Sequence, residues 1–189
     1  MIGIFEAALE LQEFCDSQGW ESCFIGGIAV QRWSQARVTR DVDITLLTGF
    51  GQEQPFIDAL LSHYAARNTD AAQFALRARV LLLASPSGVG IDISLGALPF
   101  ERLVVDRATF FEFAPGVGLR TCSAEDLMVM KLFASRPIDL RDAEGIAVRH
   151  DQRLDWGYIE EQLLPLAEAK ESPQILRELE RVKKLSSTL

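Results

Sequence analysis

Apolar residues in the first part of the chain follow two periods, which separate helices from strands. Residues 4–16 place apolar side chains three or four positions apart, the spacing of an amphipathic helix. Residues 41–47 alternate instead, with Val42, Ile44 and Leu46 on one face of a strand and polar residues on the other. The same reasoning predicts further strands at 20–25, 79–84 and 89–95 and further helices at 28–35 and 53–65.

Two of these strands are predicted to pair as a hairpin. Residues 79–84 form a nearly continuous apolar run, typical of a strand buried on both faces, and Ser85-Pro86-Ser87-Gly88 is a turn signal before residues 89–95. Residues 110–120, interrupted by Pro115-Gly116, predict one or two edge strands. Strands and helices therefore alternate through an α/β core, which we place at residues 1–121.

The pattern becomes helical from Ser123 to the end of the chain. Ser123-Ala124-Glu125-Asp126 is similar to a capping box, and further helices are predicted to start near Pro137, Asp155 and Pro173. We therefore expect an α+β fold. A mixed β-sheet with flanking helices forms residues 1–121, and a C-terminal helical bundle forms residues 122–189.

Composition narrows the class of protein. The 189 residues are 48% hydrophobic, enough for a sizeable core, and the net charge of −8 argues against a surface that coats nucleic acid in general. A local basic groove is compatible with that charge. The three cysteines form no CxxC pair, which favours buried, reduced thiols. Without a signal-peptide pattern or an apolar run of about 18–20 residues, we expect a cytoplasmic protein with no membrane partner.

The acidic residues of two strands indicate a metal site. Asp41 and Asp43 share one face of their strand, with Cα atoms about 6.6 Å apart, so their carboxylates can converge on cations. Asp92, between Ile91 and Ile93, is expected on the face opposite to these apolar residues. Carboxylates and substrate phosphates are ligands that Mg²⁺ (or Mn²⁺) accepts, and a third acid can bind a second metal or take a proton.

Simpler explanations exist for each acid. A D-x-D pair at a strand start often faces solvent or caps a helix. Asp92 can instead pair with an arginine such as Arg77 or Arg79, because an unpaired buried carboxylate is costly.

Two adjacent glycines supply a candidate phosphate site. Gly26-Gly27 follows a predicted strand and precedes a helix, so backbone N–H groups can approach an anion at the helix N-terminus. Taken alone, the pair also fits a simple strand-to-helix turn. The sequence contains no G-x-x-x-x-G-K-[ST] motif and no complete G-x-G-x-x-G, which excludes P-loop and Rossmann dinucleotide-binding proteins.

Basic residues lie on both sides of these motifs. Arg32 and Arg37 can contact phosphates, or they can neutralise the nearby acids or solvate a helix end; Arg40 fits the structural role better. Lys131 is the single charge in the apolar segment 127–134. It can bind a triphosphate, with Asp139 and Asp142 for orientation or proton transfer, or it can form a structural ion pair with these acids.

These motifs together resemble a known superfamily. The segments FIGGIAVQRWSQARVTRDVDITL, IDISLG and AEDLMVMKLFASRPIDLRD are similar to DNA polymerase-β-like nucleotidyltransferases, and most similar to the AbiEii/AbiGii toxin-type group, over roughly residues 20–145. The resemblance implies a nucleotidyltransferase fold that transfers a nucleoside monophosphate from an NTP to an acceptor hydroxyl. The family often has serine where this chain has Gly27, and a basic residue where it has Ile138.

The resemblance also implies roles for particular residues. Catalysis and metal binding fall to Asp41, Asp43 and Asp92. Binding of the NTP phosphates falls to Gly26, Gly27 and Lys131, to which we add Arg37, and orientation or proton transfer to Asp139 and Asp142.

Three functions remain open from the sequence. The first is a toxin-type nucleotidyltransferase of a toxin–antitoxin or abortive-infection system that acts on RNA, such as tRNA, and has a cognate antitoxin. The second is a small-molecule nucleotidyltransferase of the antibiotic-resistance type. The third is a non-catalytic nucleotide-binding or antitoxin-like interaction protein.

Overall fold

The protein is described by a computed structural model that covers residues 2–150 and 153–186. The chain forms two compact units. The sheet unit consists of Met1–Ile28 and Val38–Cys122, and the helical unit consists of Ala29–Arg37 and Ser123–Leu189. The predicted α+β class is confirmed.

The sheet unit contains every strand of the described residues. Its helices are α1 (Ile2–Ser17), α3 (Gln54–His63), α4 (Ala71–Ala78) and α5 (Pro99–Asp106), and helix α2 (Gly26–Trp33) begins in this unit. Its strands are β1 (Ser22–Phe24), β2 (Asp41–Leu47), β3 (Ala65–Ala66), β4 (Val80–Ala84), β5 (Gly90–Gly96), β6 (Thr109–Ala114) and β7 (Val117–Thr121).

In the described residues these strands form one mixed sheet in the order β3-β4-β5-β2-β1-β7-β6. Strand β2 is parallel to β5, and β1 is parallel to β7, while the other neighbours are antiparallel. One face of the sheet is the core of the unit, because the alternating apolar side chains of its central strands are fully buried. They include Val42, Ile44, Leu46, Leu81, Leu83, Ile91, Ile93 and Leu95.

Strand β4 differs from the sequence prediction of a strand buried on both faces. Leu81 and Leu83 are buried in the core, but Val80, Leu82 and Ala84 on the second face are only partly buried. The second face of the sheet is not fully covered at β4, and the neighbouring strand β5 places the polar side chains of Asp92 and Ser94 there. The hairpin of β4 and β5 forms as predicted.

Helix α5, which the sequence pattern did not reveal, covers part of this second face. It contacts β1 and β2, and the Cys23 Sγ lies 3.7 Å from the Val104 carbonyl oxygen. Thr45, paired with Cys23 across the sheet, is buried there. The cover ends before Asp43 and Asp41, which stay half-buried, so the acidic part of the face is accessible.

The helical unit combines the C-terminal helices with a short segment from earlier in the chain. It contains α6 (Ala124–Ala134), α7 (Pro137–His150), α8 (Trp156–Ala169) and α9 (Gln174–Ser186), together with the end of α2. Ser123 caps α6 by accepting a hydrogen bond from the Asp126 amide at 3.1 Å, and Asp155 caps α8 in the same way. The packed interior of the unit includes Leu127, Met128, Leu132, Ile146, Ile159, Leu163, Leu179 and Val182.

The structure also shows where the cysteines lie and how apolar the helices are. All three cysteines are buried, as predicted. Within the described residues, none of the helices has the length and apolar character needed to cross a membrane.

Candidate functional site

The structure sorts the predicted site residues into two sets, one in each unit. Asp41, Asp43, Asp92, Gly26 and Gly27 lie in the sheet unit. Arg37, Lys131, Asp139 and Asp142 lie in the helical unit.

The three acids of the sheet unit share the second face of the sheet. Asp43 on β2 pairs in register with Asp92 on β5, and residues paired on neighbouring strands point to the same side. Asp41 lies two residues before Asp43 and therefore on that side as well. All three carboxylates are partly exposed, in contrast to the buried Val42 and Ile44 of the opposite face.

The glycine turn holds Asp43 at close range. Gly26 has a φ angle of +53°, which L side chains rarely adopt, and a Cβ atom there would lie 2.1 Å from the Asp43 Oδ2. The Gly27 amide donates a hydrogen bond to the same Oδ2 at 3.2 Å. Both glycines lie in the first turn of α2, so the N-terminus of this helix points toward the Asp43 carboxylate.

Sequence reasoning missed the cation of this acidic face, Arg67. Its guanidinium contacts Asp92 and lies 3.8 Å from the Asp41 Oδ1. The suggested partners of Asp92, Arg77 and Arg79, are wrong, because Arg79 pairs with Glu53 and it is Arg67 that reaches Asp92. Nothing local marks Arg67 in the sequence, since its position depends on how β3, β4 and β5 align.

The surroundings of Asp92 raise the pKa of its carboxyl group, so Asp92 is protonated more readily than an exposed aspartate. Burial is the largest effect and raises its pKa, and the negative charge of Asp41 raises it further. The charge and hydrogen bond of Arg67 act in the opposite direction without cancelling the rise, so the pKa of Asp92 lies above its ordinary value.

The fit of these residues to a divalent cation rests on donor chemistry and on space. Carboxylate oxygens are the donors that Mg²⁺ prefers. Glycines at 26 and 90 leave room that a Cβ atom would take from Asp43 and Asp41 respectively. In the part of the chain that is described, no three His, Cys, Asp or Glu side chains are close enough to hold a metal as they stand. The donor set thus fits Mg²⁺, while Arg67 now contacts Asp92.

The helical unit contains a second charged cluster, whose lysine and two carboxylates are buried. The Lys131 ammonium lies 2.9 Å from the Asp139 Oδ1 and 2.8 Å from the Asp142 Oδ2. Arg136 donates to Asp139 at 2.5 Å. Arg37 makes a two-pronged contact with Asp142 at 2.8 and 2.9 Å. Two carboxylates are thus held by three cations, with Lys131 shared between them.

These contacts keep both carboxylates ionised despite burial. Burial by itself raises the pKa of Asp139, but hydrogen bonds from Arg136 and Lys131 outweigh it, so the pKa lies below its ordinary value. The pKa of Asp142 is lowered in the same way, against burial, by hydrogen bonds from Arg37 and Lys131. The ion pairs match the structural alternative considered for Lys131, and Arg37 pairs with Asp142.

Two solved structures are similar to this chain, and the first of them supports a nucleotidyltransferase fold. The chain is similar to an antigenic nucleotidyltransferase-like protein from Paracoccidioides brasiliensis, with 16% identity, a TM-score of 0.53, and coverage of 94% of this chain and 92% of that one. It is also similar to the antibiotic-resistance factor ANT(2'')-Ia, with 15% identity, a TM-score of 0.45, and coverage of 99% of this chain and 89% of that one. A comparison with curated protein sequences found no match.

Comparison with family models is more specific. The model described as nucleotidyl transferase AbiEii toxin, type IV TA system, matches residues 16–150. This range is more than half of the chain and includes both sets of predicted site residues. The chain therefore belongs to the AbiEii family of nucleotidyltransferase toxins, and it is an NTP-dependent nucleotidyltransferase.

Proposed function

We propose that the protein transfers a nucleoside monophosphate from an NTP to an acceptor hydroxyl of RNA, such as tRNA, in a reaction that depends on Mg²⁺ (or Mn²⁺). Asp41, Asp43 and Asp92 are the proposed metal ligands. Family membership implies a nucleotide substrate and a cognate antitoxin. The metal requirement, the RNA acceptor and the residue roles are the proposed parts.

One observation carries this proposal. Asp43 lies in register with Asp92, on the face that also holds Asp41, and its carboxylate accepts the Gly27 amide at the start of α2. Three carboxylates and a helix N-terminus on one accessible face suit a bound cation next to an anionic substrate. A bound divalent cation would neutralise phosphate charge and orient the reacting oxygens.

The side chains of this face have distinct proposed roles. The Gly27 amide holds the Asp43 carboxylate by a hydrogen bond, and the lack of a Cβ atom at Gly26 leaves room for it. Asp43 is therefore the best-positioned metal ligand. Asp92 has a raised pKa and is therefore a stronger base than an ordinary carboxylate. It is suited to accept the proton of an attacking hydroxyl as well as to bind metal.

Exposed basic side chains of the helical unit support an RNA acceptor. An open depression of about 650 Å³ in this unit is lined by two arginines, Arg141 and Arg149, by one acid, Glu144, and by neutral residues that include Ser34 and Gln35. Arginine binds phosphate oxygens through its planar set of donors, so a local basic surface can hold RNA even in an acidic protein.

Several sequence predictions stay predictions. They are triphosphate binding by Lys131 and Arg37, and orientation or proton transfer by Asp139 and Asp142. We also propose the division into a catalytic core at residues 1–121 and a helical region at residues 122–189.

The proposed function is tested by incubating the purified protein with each labelled NTP, total tRNA and Mg²⁺. We expect label to appear on RNA, to disappear when EDTA removes the cation, and to fall on the order of 100-fold or more in Asp43→Asn. The matched control is Asp58→Asn, which removes an exposed carboxylate of α3 and should leave the transfer rate unchanged.

Other outcomes lead to different conclusions. Label found only on small hydroxyl compounds, with none on RNA, would reject the RNA acceptor and keep the reaction class. NTP binding without transfer to any acceptor would reject the proposed reaction for this chain.

A further inference from the structure

We infer that Arg67 is a positioning residue of the acidic face, which competes with a divalent cation for Asp92 and Asp41 and thereby sets the affinity of the site for metal. The inference rests on the proposed metal-binding role of these carboxylates. All the residues concerned lie in the sheet unit.

The alignment of the strands brings Arg67 to the acids. The Arg67 amide donates to the Leu82 carbonyl at 3.0 Å, which continues the pairing of β3 with β4 by one residue. Leu82 pairs with Asp92, and Asp92 pairs with Asp43. Arg67, Leu82, Asp92 and Asp43 thus form one row across the sheet. Adjacent strands lie about 4.8 Å apart, so an arginine side chain that crosses Leu82 is long enough to reach Asp92.

The space for this contact is left open by Gly90. A Cβ atom on Gly90 would lie 2.2 Å from the Asp41 Oδ1 and 2.9 Å from the Arg67 Nη1. Any other residue at position 90 would therefore displace both groups. Gly90 pairs with Asp41 in the parallel register of β2 and β5, so the opening lies directly beside that carboxylate.

The guanidinium occupies a coordination position of the Asp92 carboxylate and lies near that of Asp41. The Arg67 Nη2 donates to the Asp92 Oδ1, and the Nη1 lies 3.8 Å from the Asp41 Oδ1. An oxygen lone pair that accepts an N–H bond is not available to a cation in the same direction. Metal binding by Asp92 must therefore displace Arg67, or use the remaining oxygen atoms.

The exposure of the Arg67–Asp92 ion pair determines how strongly Arg67 competes with a cation. The side chains of Arg67 and Asp92 are 33% and 34% exposed, so the pair is stronger than a fully solvated ion pair and still open to exchange. Removal of the guanidinium should therefore increase metal affinity measurably without opening the core. A released guanidinium, next to a bound triphosphate, would find phosphate oxygens as new partners.

The test is a titration of the full-length protein with Mn²⁺ in the absence of nucleotide, with free Mn²⁺ followed by electron paramagnetic resonance. We expect Arg67→Gln to bind Mn²⁺ about tenfold more tightly than the unmodified protein. Arg67→Lys should lie between the two, because it keeps the charge and loses the planar set of donors. Adding Asp92→Asn to Arg67→Gln should remove the gain.

A charge control separates local competition from a general change in net charge. Arg77→Gln removes one positive charge from an exposed position on α4, and should leave Mn²⁺ affinity within twofold of the unmodified protein. Thermal unfolding by circular dichroism identifies any variant that fails to fold, in which case Arg67→Lys is compared alone.

Equal or weaker Mn²⁺ binding by folded Arg67→Gln would overturn the inference, and so would a gain of the same size in Arg77→Gln. Absence of Mn²⁺ binding in all variants would overturn it as well. Because the titration contains neither NTP nor acceptor, a failed transfer reaction leaves this result unaffected. The two proposals can therefore fail separately.

Discussion

The hydroxyl oxygen of Thr39 lies 2.1 Å from the position that a Cβ atom on Gly27 would occupy. The Thr39 Cβ would be 2.6 Å from the same position, so the threonine side chain fills the space of the missing side chain. The Thr39 hydroxyl also lies within hydrogen-bond distance, 3.3 Å, of the Asp41 carbonyl oxygen. Gly27 and Thr39 therefore form a matched pair, since a serine at position 27 would meet the Thr39 side chain.

A serine at position 27 should be tolerated better if the side chain at position 39 is made smaller. We expect Gly27→Ser to lower the free energy of unfolding by about 1–3 kcal/mol, because overpacking moves the Thr39 backbone or the glycine turn. Thr39→Ala in the same chain should restore part of the loss, because it removes the hydroxyl that would lie 2.1 Å from the new side chain but keeps the Thr39 Cβ that would lie 2.6 Å from it. Urea unfolding of the two single variants, the double variant and the unmodified protein measures the coupling.

Gly118→Ser is the control for this cycle, because nothing lies within 4 Å of a Cβ atom at Gly118. Its effect should stay within about 0.5 kcal/mol. Strictly additive effects of Gly27→Ser and Thr39→Ala would contradict the matched pair.

Gly26→Ala should damage the acidic face as well as the turn. A left-handed conformation costs an L residue about 1–2 kcal/mol, and the new methyl group would also meet the Asp43 carboxylate. We expect a loss of stability of about 2 kcal/mol or more, together with a lower transfer rate, since Asp43 must move.

Gly88→Ala separates the two causes. Gly88 has a φ angle of +82° with nothing within 4 Å of its Cβ position, so its alanine variant carries the strain alone. The difference between the two variants, measured by urea unfolding and by transfer rate, reports the contact with Asp43. Equal losses in both assays would show that Asp43 does not depend on Gly26.

Local sequence signals predicted the elements that carry the acids. Strand β2 has the predicted bounds, since Asp41-Val42-Asp43 alternates cleanly, and α6 starts after its predicted cap, Ser123. Helices α4 and α5 were missed. Each is only eight residues long, too short for a helical period to stand out against the neighbouring apolar strands.

The contacts that define the two clusters were harder to predict for a different reason. Arg67 reaches Asp92 only through the alignment of three strands, and Arg37 reaches Asp142 across 105 residues of sequence. Such pairings depend on tertiary packing, which periodicity and motif spacing do not encode. The residue types of the site and the ion pairs of Lys131 were therefore predictable, whereas the partners of Arg67 and Arg37 were not.

The shared ammonium of Lys131 should be important for stability. Its side chain is only 7% exposed, and Asp139 and Asp142 would both keep a buried negative charge without it. We expect Lys131→Met to lower the free energy of unfolding by about 3–5 kcal/mol. Urea unfolding measures the change.

The control is an ion pair at the surface of the same unit. Lys183 contacts Glu160, and 38% of the lysine side chain is exposed, so Lys183→Met should cost less than about 1 kcal/mol. If both methionine variants lost equally little, the buried cluster would not depend on its lysine.

Acid should weaken the same cluster. The pKa values of Asp139 and Asp142 are lowered in the folded protein, so unfolding at acid pH takes up protons. Their stabilising contribution is complete above the unfolded pKa, about 3.9, and is lost as the pH falls through the folded values. The free energy of unfolding should therefore decrease steeply below about pH 4.

Asp142→Asn should flatten this decrease, because one of the two titrating groups is gone, even though the variant is less stable at neutral pH.

Asp92→Asn should change the pH dependence in the opposite direction. The pKa of Asp92 is raised, so its ionisation disfavours the folded state as the pH rises above the unfolded value. Asp92→Asn should leave the decrease in the free energy of unfolding below about pH 4 unchanged. It should reduce the loss of stability that ionisation of Asp92 causes above about pH 4. Urea unfolding of the three proteins between acid and neutral pH separates the contributions, and parallel curves for Asp142→Asn and the unmodified protein would contradict the assignment.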